Sequence, residues 1–134
     1  MANLKDKTIV ITGASRGIGR EIALKCAKDG ANIVILAKSV EAHPKLPGTI
    51  YTVAEEVEAA GGKALAIQLD VRDDQAVKDA MKKAADTFGG IDAVINNAGA
   101  IKLMGATSLP LKRFDLMTQI NSRAVLSTAQ AALP

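Results

Sequence analysis

Four short runs of apolar, mostly β-branched residues recur along the chain: Thr8 to Thr12 (TIVIT), Asn32 to Ala37 (NIVILA), Ala64 to Asp70 (ALAIQLD) and Ala93 to Asn97 (AVINN). They are near-continuous rather than alternating, the pattern of strands covered on both faces. Between them lie segments whose apolar residues return at helical spacing. Gly17 to Asp29 places Ile18, Ile22, Ala23 and Ala27 on one stripe and stops at Gly30, a residue suited to a left-handed cap. A second segment, from Thr49, carries Ile50, Val53, Ala54 and Val57 before Gly61-Gly62. The third opens at Asp73-Asp74 and carries Val77, Ala80, Met81, Ala84 and Phe88 before Gly89-Gly90. Its acids lie at the start and Lys78, Lys82 and Lys83 later, which suits the helix dipole. The fourth begins near Pro110 and runs on to the end, with Phe114, Met117, Ala124 and Val125 defining an apolar face. A βαβαβαβα order predicts an α/β fold: one doubly wound parallel sheet, strand order 3-2-1-4, with right-handed crossovers. The one irregular segment is Glu41 to Gly48 (EAHPKLPG), a proline-broken loop after the second strand.

Composition narrows the classes. The 134 residues suffice for a single domain with one core, and 49% hydrophobic with 23% charged residues excludes a disordered or fibrous chain. A net charge of +3 with interspersed signs and only 2% aromatics leaves no basis for nucleic-acid binding. No run approaches the ~18 apolar residues of a membrane span, and the start, MANLKDKTIV, lacks the apolar region of a secretory signal. Cys26 is the single cysteine, expected as a small apolar filler in the first helix; a reducing compartment is the natural reading. Cytoplasm is the expectation, with peroxisome and mitochondrion left open. His43 stands beside Pro44 without a cysteine or carboxylate cluster, so no metal site is expected.

The chemistry concentrates at the strand ends. Thr12-Gly13-Ala14-Ser15-Arg16-Gly17-Ile18-Gly19 sits where the first strand gives way to the first helix. Glycines there let the backbone turn sharply and a pyrophosphate approach, while free N–H groups and the helix dipole attract negative charge. The spacing Gly-x-x-x-Gly-x-Gly is one residue longer than the dinucleotide fingerprint, and a P-loop would need a Gly-Lys-Ser/Thr ending that is missing. Sites for NAD usually place an acid about 20 residues past the glycines to hold the ribose 2′-hydroxyl. Ala37 stands there instead, followed by Lys38, and Arg16 adds a second cation. A carboxylate would repel a 2′-phosphate, whereas charge-assisted hydrogen bonds to one are worth about 1.5–3 kcal/mol each. The expected cofactor is NADP(H); the alternative is that both cations are merely solvated.

Other positions leave two readings open. Asp70 would accept a hydrogen bond from an adenine amine with Val71 against the ring, or cap the following helix beside Asp73. Asn96 and Asn97 would touch ligand or tie neighbouring strand ends together. Asn121 falls on the apolar face of the fourth helix, where an unpaired amide would cost about 1–3 kcal/mol. It would bond a backbone carbonyl, or order water beside a catalytic group.

Together these residues resemble the short-chain dehydrogenase/reductase family. TGASRGIG, LDV and NNAG occur in order at the proper strand ends, with INSRA in the fourth helix. AKS, HPKLPGTIYT and LKRFDLM resemble one subgroup of it in particular. The resemblance implies a Rossmann-type fold in which the Thr12 to Gly19 turn, Lys38, Asp70 and the Asn97-Ala98 stretch contact NADP(H). It makes Asn121 the active-site asparagine, which supports a proton relay through water. It implies reversible hydride transfer between nicotinamide and a carbonyl or secondary alcohol of a small molecule, and a homo-oligomer for the intact protein. The family's catalytic tyrosine, lysine and serine lie after the fourth helix. This chain stops at Pro134, and its only tyrosine, Tyr51, is followed at the fourth place by Glu55. The expectation is therefore one NADP-binding domain over residues 1–134, the N-terminal part of a single-domain enzyme, truncated before the later strands and inactive alone. Such a chain would expose a sheet edge and an apolar helix face (Leu126, Ala129, Ala132, Leu133). A non-catalytic nucleotide-binding module that naturally ends near residue 134 is the alternative. An S-adenosylmethionine methyltransferase is disfavoured by Lys38, because such sites usually want an acid for the ribose.

Overall fold

A computed structural model describes residues 3–41, 48–101 and 103–133. The elements are β1 (Thr8–Thr12), α1 (Gly17–Lys28), β2 (Asn32–Ala37), α2 (Ile50–Ala60), β3 (Lys63–Gln68), α3 (Asp74–Phe88), β4 (Ala93–Asn96), α4 (Leu111–Thr118), a π-helical turn (Gln119–Arg123) and α5 (Ala124–Ala132). The four strands form one parallel sheet in the order β3-β2-β1-β4, as expected.

Alternation along β1 and β2 explains why these runs are continuously apolar. Ile9, Ile11, Ile33 and Ile35 face α1 and α2, where they meet Ala23, Ala27, Ile50, Val53 and Val57. Val10, Val34 and Leu36 face the opposite layer, built by Val77, Ala80, Met81 and Ala84 of α3 with Ala124 of α5. Every residue of β1 and β2 is buried, so neither strand has a polar side to spare.

Several boundaries differ from the sequence reading. β3 runs from Lys63 to Gln68 rather than from Ala64 to Asp70. Lys63 pairs with Asn32, while the Leu69 amide still donates to Ala37 O (2.9 Å) beyond the last ladder pair. β4 ends at Asn96 because the Asn97 amide turns away to other acceptors. On α1 the buried stripe is Gly19, Ala23 and Ala27; Ile18 is 73% exposed and leaves it. Gly30 adopts positive φ (93°) directly after the α1 cap residue Asp29.

The fourth helical segment departs most. It is two helices joined by a π-helical turn, and of the face expected inward only Ala124 reaches the core. Phe114 and Val125 are exposed, whereas Ala124 and Thr128 are buried and Ile120, Ala131 and Ala132 pack against the α3 layer. The extra residue of a π turn rotates the stripe that a continuous α-helix would have kept in line. The loop predicted for Glu41 to Gly48 lies mostly outside the described residues.

Candidate functional site: a cleft at the carboxyl ends of the strands

β1 lies between β2 and β4, and the chain crosses from one side of β1 to the other between β3 and β4. That reversal opens a crevice at the carboxyl ends of the strands, the usual ligand position in open α/β sheets. The residues after β1 form its floor. Thr12 Oγ1 accepts from the Asn97 amide (3.1 Å) and the Ala98 amide (3.0 Å). Asn97 Nδ2 donates to Gly13 O (3.1 Å), and the Gly13 amide donates to Leu36 O (2.7 Å). Asn96 instead accepts from Thr128 Oγ1 (2.7 Å). Both asparagines thus do tie neighbouring elements together, and Asn97 also lines the cleft.

Close packing sets the glycines. Gly13 has φ 68°, and a Cβ there would fall 2.9 Å from Ala98 Cα. A Cβ on Gly19 would lie 2.5 Å from Gly13 O and 2.6 Å from Asn97 Nδ2, so α1 seats directly on the turn. Gly17, with φ 60°, has nothing within 4 Å of the corresponding position. The helix start there is open. It is also uncapped: among the described residues no side chain caps it. By contrast, Thr49 and Thr52 form a capping box on α2, and Asp73 accepts from the Ala76 amide (3.1 Å) on α3. Among the described residues the first-turn amides of α1 thus have no side-chain acceptor, and helix starts of this kind attract anions.

The cleft, about 330 Å³, is lined by Gly13, Ser15 and Arg16 of the turn, by Lys38 and Ser39 after β2, by Asp70 and Val71 after β3, and by Asn97 and Ala98 after β4. Of the residues expected at the site, Ala14 is fully buried behind the turn, and Gly17, Ile18 and Gly19 do not line the cleft. Arg16 Nη2 donates to Ser39 Oγ, and Lys38 Nζ lies 3.7 Å from Asp70 Oδ2. Ser39 was not singled out from sequence; its place directly after Lys38 at a strand end was the available signal. Gly99 and Ile120 also line the cleft and were not anticipated.

Asp70 is not the cap of α3; Asp73 is. Its carboxylate is gripped by Arg72, whose Nη2 lies 2.6 Å from Oδ2 and whose Nε and backbone amide both reach Oδ1 at 3.0 Å. Hydrogen bonding from the Arg72 side chain, opposed by burial and reinforced by the Arg72 amide, its charge and Lys38, holds the Asp70 carboxyl down at about 2.

Asn121 sits in the π turn and is exposed, not buried as its position on the apolar face implied. Its Oδ1 accepts from the Ala100 amide (2.9 Å) and its Nδ2 donates to Ala100 O (2.8 Å). Both backbone groups of Ala100 are satisfied, yet one N–H and one lone pair of the side chain remain. Arg123, two residues on, makes a bidentate pair with Asp74 (2.7 Å each) that fixes the end of the turn to α3. His43 lies outside the described residues.

The sequence profile of the short chain dehydrogenase family matches residues 7–134. This chain belongs to that family. It is 59% identical over 127 residues to hydroxysteroid dehydrogenase-like protein 2 of Xenopus tropicalis, an alignment covering 95% of this chain and 30% of that protein. The human protein of the same name is 58% identical over the same share of each. These relatives are the subgroup that AKS, HPKLPGTIYT and LKRFDLM resemble, and the chain spans about 30% of their length. Among solved structures, a short chain dehydrogenase from Mycobacterium thermoresistibile superposes with a TM-score of 0.95 at 53% identity, covering 98% of this chain and 47% of that one. An NADH-dependent reductase complexed with NAD superposes with a TM-score of 0.84 at 27% identity, over 98% of this chain and 52% of that one. The fold is thus the Rossmann-type arrangement of short-chain oxidoreductases.

Proposed function

We propose that the cleft holds NADP(H), and that this chain is the cofactor-binding part of an oxidoreductase acting on a carbonyl or secondary alcohol of a small molecule. The observation that carries the reading is the grouping of Arg16, Lys38 and Ser39 at one rim, with Ala37 rather than an acid at the end of β2. The fit to a nucleotide rests on the uncapped α1 start and the open space before Gly17.

In this reading the amides along Gly13 to Gly19 hold the pyrophosphate, and Arg16 and Lys38 hold the 2′-phosphate. Asp70 and Val71 face the adenine, and Asn97 and Ala98 meet the inner part of the nucleotide. The bound nicotinamide supplies or accepts the hydride. Asn121, with one N–H and one lone pair free, positions a water for proton transfer near Gly99 and Ala100. The likeness to a reductase complexed with NAD supports a nicotinamide nucleotide in the cleft, and the choice of NADP(H) rests on Arg16 and Lys38.

Calorimetric titration tests this directly. NADPH is expected to bind at least ~10-fold more tightly than NADH. Lys38→Ala and Arg16→Ala should each weaken NADPH by roughly 10- to 100-fold, one charge-assisted hydrogen bond's worth, and leave NADH little changed. Equal affinities, or tighter NADH, would sink the assignment.

The chain alone is expected to turn over no carbonyl. Tyr51 is exposed on α2 and Glu55 takes the place of the lysine needed to tune it. NADPH oxidation above a no-protein control contradicts that.

A further inference from the structure

The β2–α2 connection meets the phosphate turn twice. At its start Ser39 accepts from Arg16, and at its end Gly48 lies against the Ser15–Arg16 peptide. A Cβ on Gly48 would fall 2.4 Å from Ser15 O, with Ser15 C and Arg16 Cβ next at 3.6 Å. The atom in the way is backbone, so it cannot swing aside as a side chain would. Neither partner is free to retreat. Ser15 is 4% exposed and its turn is pinned through Gly13 to Leu36 and Asn97. Gly48 is followed by Thr49, buried and fixed in the α2 capping box, and the Ile50 amide donates to Ser39 O (3.1 Å). Residues 39 and 50 are therefore clasped together, and Gly48 is held against the turn from outside.

We propose that Gly48 is a positioning residue for cofactor choice: its bare Cα sets the Ser15–Arg16 peptide, and so aims the Arg16 guanidinium at the 2′-phosphate rim. This rests on the NADP(H) reading above. A side chain at residue 48 pushes the peptide aside, pulls Arg16 from Ser39, and weakens NADPH more than NADH, which lacks the 2′-phosphate.

Gly61 supplies the control. Its φ of 110° matches the 109° of Gly48, but a Cβ there would meet only Ala27 O at 3.8 Å, away from the turn. Gly48→Ala and Gly61→Ala thus carry similar backbone strain, and only the first disturbs the turn. Melting temperatures should fall in both. The ratio of NADPH to NADH affinity, measured by titration at 10 °C, should fall about 10-fold in Gly48→Ala and stay within 2-fold in Gly61→Ala. Gly48→Asn, better tolerated at positive φ, replaces Gly48→Ala if the latter lacks the native circular dichroism spectrum. An unchanged ratio in the Gly48 variant, or an equal change in Gly61→Ala, overturns the proposal while leaving the cofactor reading intact. Wild type that prefers neither nucleotide overturns both.

Discussion

Asp70 shows how much one carboxylate is asked to do at the cleft. Arg72 holds it from the side chain and the backbone, and Lys38 approaches from the cofactor rim. Its folded pKa of about 2 lies below the ~3.9 of an unfolded aspartate. Its contribution to stability is therefore complete above pH ~4 and lost as pH falls toward 2. Asp70→Asn should melt lower than wild type at neutral pH, and the gap should close between pH 4 and 2. A constant gap across that range contradicts the assignment. At this scale the sequence exposed what lies close along the chain. The glycine turn, Lys38 and Asp70 each stand at a strand end, and strand ends are legible from apolar runs. Ser39 and Gly48 were not, because their meaning comes from Arg16 and Ser15, residues distant in sequence and adjacent only once the sheet has formed. Of the two readings open for Asp70, the cap falls to Asp73, and nothing local says that Arg72 folds back onto the Asp70 carboxylate.

Among the elements, β1 and β2 were legible to the residue, since burial on both faces leaves an unbroken apolar string with polar or glycine ends. The π turn was not. Gln119 to Arg123 contains neither proline nor glycine, and nothing in its periodicity announces an added residue. What maintains it is tertiary: Asn121 takes both polar groups of Ala100, and Arg123 takes both oxygens of Asp74. Asn121→Ala should free the Ala100 amide, seen as faster hydrogen exchange at Ala100 with the β1–β2 ladder unaffected. Exchange at Ala100 that does not change would mean the turn stands without this clasp. Behind it, Thr128 is fully buried and donates to Asn96 at the end of β4. Thr128→Val keeps the shape and removes that bond, and should cost about 1 kcal/mol in denaturant unfolding.

Across the molecule, most of the exposed large apolar residues fall between Ile101 and Leu133, with Ile18 and Tyr51 exposed elsewhere. Ile101, Leu103, Leu111, Phe114 and Leu126 are all more than half exposed, and β4 is an edge of the sheet. Ala129 and Ala132 are half-buried and Leu133 is exposed, so the helix face expected to lie bare is covered in part. Exposed apolar side chains and an open sheet edge both favour association. Light scattering on the 134-residue chain should give a mass above 13.9 kDa that falls on introducing Phe114→Glu with Leu126→Glu. A monomeric wild type contradicts this. The fastening of the first bend has an effect in time as well as space. Thr12 and Gly13 are secured by partners 84 to 86 positions downstream. On a translating ribosome the bend is made early but lacks its Asn97 and Ala98 partners until Ala98 has cleared the exit tunnel. Stalled nascent chains that end ahead of β4 should therefore carry the whole glycine sequence and still retain no nucleotide.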